Sequence, residues 1–143
     1  MKKVLFICTH NSSRSQMAEG LLNAYYGKEY KAYSAGIKPS NINPYIVKVM
    51  AEIGIDISKK RSKSIEEFRK KIFDIVITVC DHAKEECLYF PGKRNIHKNF
   101  KDPSQIKGSE DFILEGTRHI RDEIMDWILE TFYIKPKNFK QKA

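Results

Sequence analysis

Short apolar runs alternate along this chain with longer stretches of helical spacing. Val4-Leu5-Phe6-Ile7 is unbroken and apolar, the pattern of a strand buried on both faces. From about Ser13 to Tyr26 the spacing becomes helical, with Met17, Leu21, Leu22 and Tyr25 on one side and Gly27 where a helix stops. Tyr30 to Ala35 reads as a second strand closed by Gly36. Asn43-Pro44 supplies a side-chain cap and a proline at the first helical position, opening a helix through Ile46, Val49, Met50 and Ile53 to Gly54. Ser64 to Lys71 predicts a shorter helix. Phe73 to Val79 is the most strand-like run and delivers Cys80 at its end, and Ile96-His97 predicts a small further strand. Ser109 caps a long helix to about Thr131, whose stripe of Phe112, Ile120, Ile124, Trp127 and Ile128 is expected in the core.

This alternation predicts an α/β sandwich around a parallel sheet. In such sheets ligands sit beyond the carboxyl ends of the strands, where Cys8 and Cys80 both fall. Residues 1–134 read as one α/β catalytic domain and 135–143 as a basic tail.

Composition narrows the class. The 143 residues, 41% of them hydrophobic, are enough to bury a core in one domain without staples. The basic start and apolar run superficially resemble a secretion signal, but Val4 to Cys8 is too short for one. No stretch approaches a membrane span. A soluble, cytoplasmic monomer with no membrane partner is expected. The net charge of +8 comes from dispersed lysines rather than one stripe with interleaved aromatics, so no nucleic-acid partner is expected. The positive field does suit a small anionic ligand. Cys8, Cys80 and Cys87 are an odd set for a structural disulfide framework, and the cytosol would keep them reduced. Cys80, His82 and Cys87 match no common zinc spacing, so no structural metal is expected.

The segment Cys8-Thr9-His10-Asn11-Ser12-Ser13-Arg14-Ser15 leaves a buried strand and enters a helix. Successive backbone N–H groups in such a loop converge on one anion, and the helix N-terminus adds partial positive charge. Arg14 offers two parallel hydrogen bonds to a pair of oxygens on that anion. The same positive environment favours the Cys8 thiolate. Asn11 suits a left-handed conformation that braces the loop, with Ser34 as a candidate partner, and Ser15 is placed to donate to the thiolate.

The run from Cys8 to Arg14, continued by Ser15-Gln16-Met17-Ala18-Glu19-Gly20, resembles the active-site loop of the low-molecular-weight protein tyrosine phosphatase superfamily. Within it the chain is more similar to the thioredoxin-coupled arsenate reductases. Ser34-Ala35-Gly36 and Asp102-Pro103 follow in the superfamily's order. The resemblance implies a three-layer α/β sandwich with a central four-stranded parallel sheet and helices on both faces. It also implies that Asp102 is the general acid protonating the leaving oxygen. Ser104 stands where phosphatases often carry tyrosine, which disfavours phosphotyrosine as the natural substrate. His10 replaces a common glycine, and Ser13 replaces a common cysteine that lies outside the relay.

Cys80-Asp81-His82-Ala83-Lys84-Glu85-Glu86-Cys87 is similar to the redox segment of those reductases. By that resemblance Cys8 attacks arsenate, Cys80 displaces arsenite from Cys8, Cys87 takes over the bond to Cys80, and thioredoxin reduces the resulting disulfide. Seven residues of helix rise about 10.5 Å, whereas a disulfide needs Cα atoms within about 7 Å, so a helical segment here must rearrange on oxidation. Some reductases of this kind bind potassium through residues matching Asn11, Glu19 and Ser34 plus a carboxylate. Lys63 stands near that last position, so a potassium site is left open rather than assigned. Two alternatives remain: a low-molecular-weight phosphatase, which needs only Cys8, and a non-catalytic thiol sensor in which Asp102 is dispensable.

Overall fold

The computed structural model describes residues 1–80 and 90–133. Cys87, His82, the expected redox rearrangement and the basic tail lie outside these residues. Four strands, β1 (Lys2–Cys8), β2 (Tyr30–Gly36), β3 (Ile75–Thr78) and β4 (Arg94–His97), form one sheet in the order β2-β1-β3-β4. All three pairings are parallel. The unbroken apolar run predicted this: β1 is central, and Val4 to Ile7 have no exposed surface.

Side chains alternate across β1 as strand geometry requires. Val4, Phe6 and Cys8 join the core formed with helices α1 (Arg14–Tyr26), α2 (Pro44–Ala51) and α3 (Glu110–Thr131). Leu5 and Ile7 face the other layer, where Ile65, Phe68, Phe73 and Phe90 gather. Edge-to-face ring contacts run from Tyr33 through Phe68 and Phe73 to Phe90.

The caps follow the sequence. Asn43 accepts a hydrogen bond from the Tyr45 N–H, with Pro44 behind it, and Ser109 accepts from the Phe112 N–H. Four expectations need correction. The helix expected over Ser64 to Lys71 is a single 3-10 turn, Ile65–Phe68, because only Ile65 and Phe68 have a surface to pack on. The helix after Asn43 stops at Ala51, and Gly54 takes a φ of +79° in the turn that follows. Phe112 is 62% exposed because the first turn of α3 overhangs a cleft before the helix reaches the sheet. Tyr25 is half exposed, its hydroxyl directed at the Met125 sulfur on α3.

Candidate active site

The carboxyl end of β1 presents Cys8, 2% exposed and a free thiol. The loop after it is shaped by where its carbonyls go. Those of Thr9, His10 and Ser12 accept hydrogen bonds from the N–H groups of Lys38, Ser40 and Asn43 at 2.8, 3.2 and 3.0 Å. The Asn11 carbonyl accepts from Gln16 Nε2 and Ser62 Oγ. With these oxygens turned outward, the peptide N–H groups on the opposite edge turn inward. The Asn11 N–H points at Cys8 Sγ, 3.2 Å away. Asn11 makes the turn possible with a φ of 53°.

Gly36 ends β2 directly beneath this loop. A Cβ there would stand 2.8 Å from both the Asn11 nitrogen and the His10 carbonyl carbon. The loop can therefore lie against β2 only over a glycine.

Ser15 Oγ lies 2.8 Å from Cys8 Sγ and accepts from Asn11 Nδ2 at 2.7 Å. That second bond occupies an oxygen lone pair and leaves the hydroxyl proton free to point at the sulfur. The braces of Asn11 differ from expectation. Its Oδ1 accepts from Gln16 Nε2 at 2.9 Å and from the Lys63 N–H at 2.8 Å. Ser34 instead donates to Glu19 Oε1 at 2.9 Å, because its position on β2 faces α1 rather than the loop.

Arg14 begins α1 and is 2% exposed. Its Nη1 donates to the Phe100 carbonyl at 3.3 Å, and Nη2 is 3.6 Å from Asp102 Oδ2. Ser13 makes no side-chain cap bond and the first turn of α1 carries no acid, so neither a cap nor an acid of that turn competes for an anion at this helix end. Ser13 Oγ instead accepts from Asn43 Nδ2. Asp102 is held by the Ser104 N–H and hydroxyl at 2.9 and 2.8 Å and lines the cleft beside the loop. Thr9, His10, Lys38 and Lys101 share that cleft, which measures about 1020 Å³. His10 Nδ1 lies 2.9 Å from the Lys38 carbonyl. A carbonyl only accepts, so Nδ1 is the donor in this contact.

Cys80 is fully buried in the same core cluster as Cys8. Val79 donates to the Ile7 carbonyl, so Cys80 sits one strand over, about 4.8 Å, and one residue beyond the position opposite Cys8. Cys8 is free, whereas Cys80 is disulfide-bonded. Gln16 and Ser62 brace the loop and were not anticipated. Gln16 stood in the run that carries the resemblance but without a bracing role, and Ser62 lies 51 residues from the carbonyl it serves. Beneath the loop, Lys60 and Lys63 approach the buried Glu19, and burial pulls the Lys63 ammonium below its ordinary value against the attraction of Glu19. Among the described residues no group of three His, Cys, Asp or Glu side chains is placed to hold a metal.

A buried free thiol beside the loop, with a guanidinium 3.6 Å from a carboxyl that lines the adjoining cleft, is an arrangement suited to a cysteine nucleophile acting on tetrahedral oxyanions. The chain belongs to the low molecular weight phosphotyrosine protein phosphatase family, whose pattern matches residues 3–128. Its similarities reach further within that family. It is 44% identical over 124 residues to an arsenate reductase of Halalkalibacterium halodurans, covering 86% of this chain and 89% of that one. A solved arsenate reductase in a phosphate-binding state superposes with a TM-score of 0.76 at 30% identity, covering 92% of this chain and 96% of the other. A thioredoxin-dependent arsenate reductase of Corynebacterium glutamicum superposes at 0.60 with 29% identity, covering 92% of this chain and 63% of that one.

Proposed function

We propose that this chain reduces arsenate to arsenite with electrons from thioredoxin. The observation that carries the reading is the pair of thiol states: Cys8 is free in the oxyanion loop while the neighbouring Cys80 is disulfide-bonded. That is the state in which such a relay would end. The similarity to named arsenate reductases supports the same substrate, and the thioredoxin-dependent relative supports the donor.

In this mechanism the loop N–H groups and Arg14 hold three arsenate oxygens. The Cys8 thiolate attacks arsenic, and the fourth oxygen leaves as water with the Asp102 proton. Cys80 then attacks Cys8 Sγ as a thiolate. The arsenic–sulfur electron pair stays on arsenic, which departs as arsenite, and a Cys8–Cys80 disulfide remains. Cys87 attacks Cys80, restoring the Cys8 thiolate, and the thioredoxin dithiol reduces the Cys80–Cys87 bond. The two electrons that arsenic gains equal the two lost by the pair of thiols. A phosphatase would need Cys8 alone and would leave Cys80 without a role.

No helix among the described residues is long and apolar enough to cross a membrane. We take the protein to act in the cytoplasm, where thioredoxin is kept reduced, as one catalytic domain with a basic tail. Arsenite production from arsenate in the presence of thioredoxin, thioredoxin reductase and NADPH tests the proposal. Multiple turnover is expected. Absence of arsenite alongside hydrolysis of an aryl phosphate would replace it with the phosphatase reading.

A further inference from the structure

Glu19 projects from α1 beneath the oxyanion loop and is 4% exposed. A carboxylate so buried needs a cation and hydrogen bonds to stay ionised. Ser34 Oγ donates to Oε1, Lys60 Nζ lies 3.3 Å from Oε2, and Lys63 Nζ lies 4.0 Å from Oε1. The Lys63 side chain is only 15% exposed, and its ammonium also donates to the Arg61 carbonyl at 3.0 Å. Two ammonium groups therefore serve one buried carboxylate.

The backbone of Lys63 belongs to the loop's support. Its N–H donates to Asn11 Oδ1 at 2.8 Å, and its carbonyl accepts from the Gly36 N–H at 2.7 Å. Adjacent Ser62 donates to the Asn11 carbonyl. Where the 61–63 segment is held, Asn11 is held, and with it the direction of the loop N–H groups.

These residues do not fit a potassium ion. A hard cation needs several oxygens with lone pairs turned toward it. The Asn11 carbonyl already accepts from Gln16 and Ser62, and Asn11 Oδ1 accepts from Gln16 and Lys63. Ser34 directs its proton, not a lone pair, at Glu19. The position that would add a carboxylate carries an ammonium instead.

We propose that Lys63, with Lys60 beside it, is a built-in cation that positions the oxyanion loop, so that anion binding by this chain does not depend on potassium. Lys63 is a positioning residue: it acts on the anion through Asn11 and Glu19. The claim concerns anion binding, so it stands apart from whether the chemistry is reduction or ester hydrolysis.

The test uses the full chain, reduced, with inorganic phosphate as the probe. Melting temperature and phosphate Kd are measured in potassium chloride and in choline chloride at equal ionic strength. The wild type is expected to give the same values in both salts. Lys63→Gln is expected to weaken phosphate binding roughly tenfold. Lys63→Arg, which keeps the charge, is expected to recover most of that loss. A potassium-specific rise in wild-type melting temperature with tighter phosphate binding would overturn the proposal without any variant. So would a folded Lys63→Gln chain with wild-type phosphate affinity. A Lys63→Arg chain as weak as Lys63→Gln would show that shape rather than charge matters, and would overturn it equally.

Discussion

Ser15 sets a single hydroxyl against the proposed nucleophile, Cys8. It receives the Asn11 amide and faces Cys8 Sγ, so its own proton is directed at the sulfur. A hydrogen bond to a charged group is worth about 1.5–3 kcal/mol, or roughly 10- to 100-fold in rate. Ser15→Ala should lower kcat/KM for arsenate by that factor and also lower the melting temperature, since the buried Asn11 amide loses its acceptor; a rate within twofold of wild type would mean the contact to sulfur is idle. Asp102 makes a different prediction. Asp102→Asn keeps its carbonyl acceptor for Ser104 but loses the acid, so kcat should fall by about 10²- to 10⁴-fold while phosphate still binds. Steady-state kinetics beside phosphate titration separates the two quantities. At Gly36 the argument is steric. Gly36→Ala drives a methyl against the loop backbone, and thermal-shift titration should show phosphate binding lost in a chain that still folds.

Among the elements, α2 and α3 are stapled by Glu52, which accepts from Arg118 and Arg121. Arg121 also caps the Val49 carbonyl at 2.8 Å. The Arg118 hydrogen bonds, aided by those from Arg121, hold the Glu52 carboxyl below its ordinary value against partial burial. A carboxyl lowered on folding contributes stability above its unfolded value of about 4.3, lost as pH falls through the folded value. Acid titration of the melting temperature should therefore decline less steeply below pH about 4.3 in Glu52→Gln than in wild type; parallel curves would show the staple to be inert. Much of this architecture was readable in advance where local pattern and burial agree. The apolar run at β1 became the central strand, Asn43-Pro44 became a capped helix start, and Cys8 to Arg14 became the loop. Local pattern failed where long-range contact decides. Phe112 fits the helical stripe of α3, yet its turn overhangs the cleft, and Ile65 to Phe68 has too little buried surface for a full helix. The braces on Asn11 come from Ser62 and Lys63, 51 and 52 residues away, at spacings no local period encodes.

Taken whole, the molecule brings two cysteines from neighbouring parallel strands to one end of the sheet. Cys8 ends β1 at the start of the loop, and Cys80, packed in the same core cluster, is the partner the proposed relay assigns to it. The sheet order puts β1 and β3 side by side, so the transfer from Cys8 to Cys80 needs no rearrangement of the strands themselves. What distinguishes reduction from hydrolysis is the fate of these thiols after one encounter with arsenate. The decisive measurement is a single turnover: fully reduced protein is mixed with arsenate without thioredoxin, and arsenite and remaining free thiols are counted together. The relay predicts one arsenite per chain, two thiols consumed and Cys8 still free, with Cys80→Ser or Cys87→Ser leaving Cys8 trapped or unregenerated. Arsenite absent with all thiols intact, or arsenite formed equally well by Cys80→Ser, would contradict it.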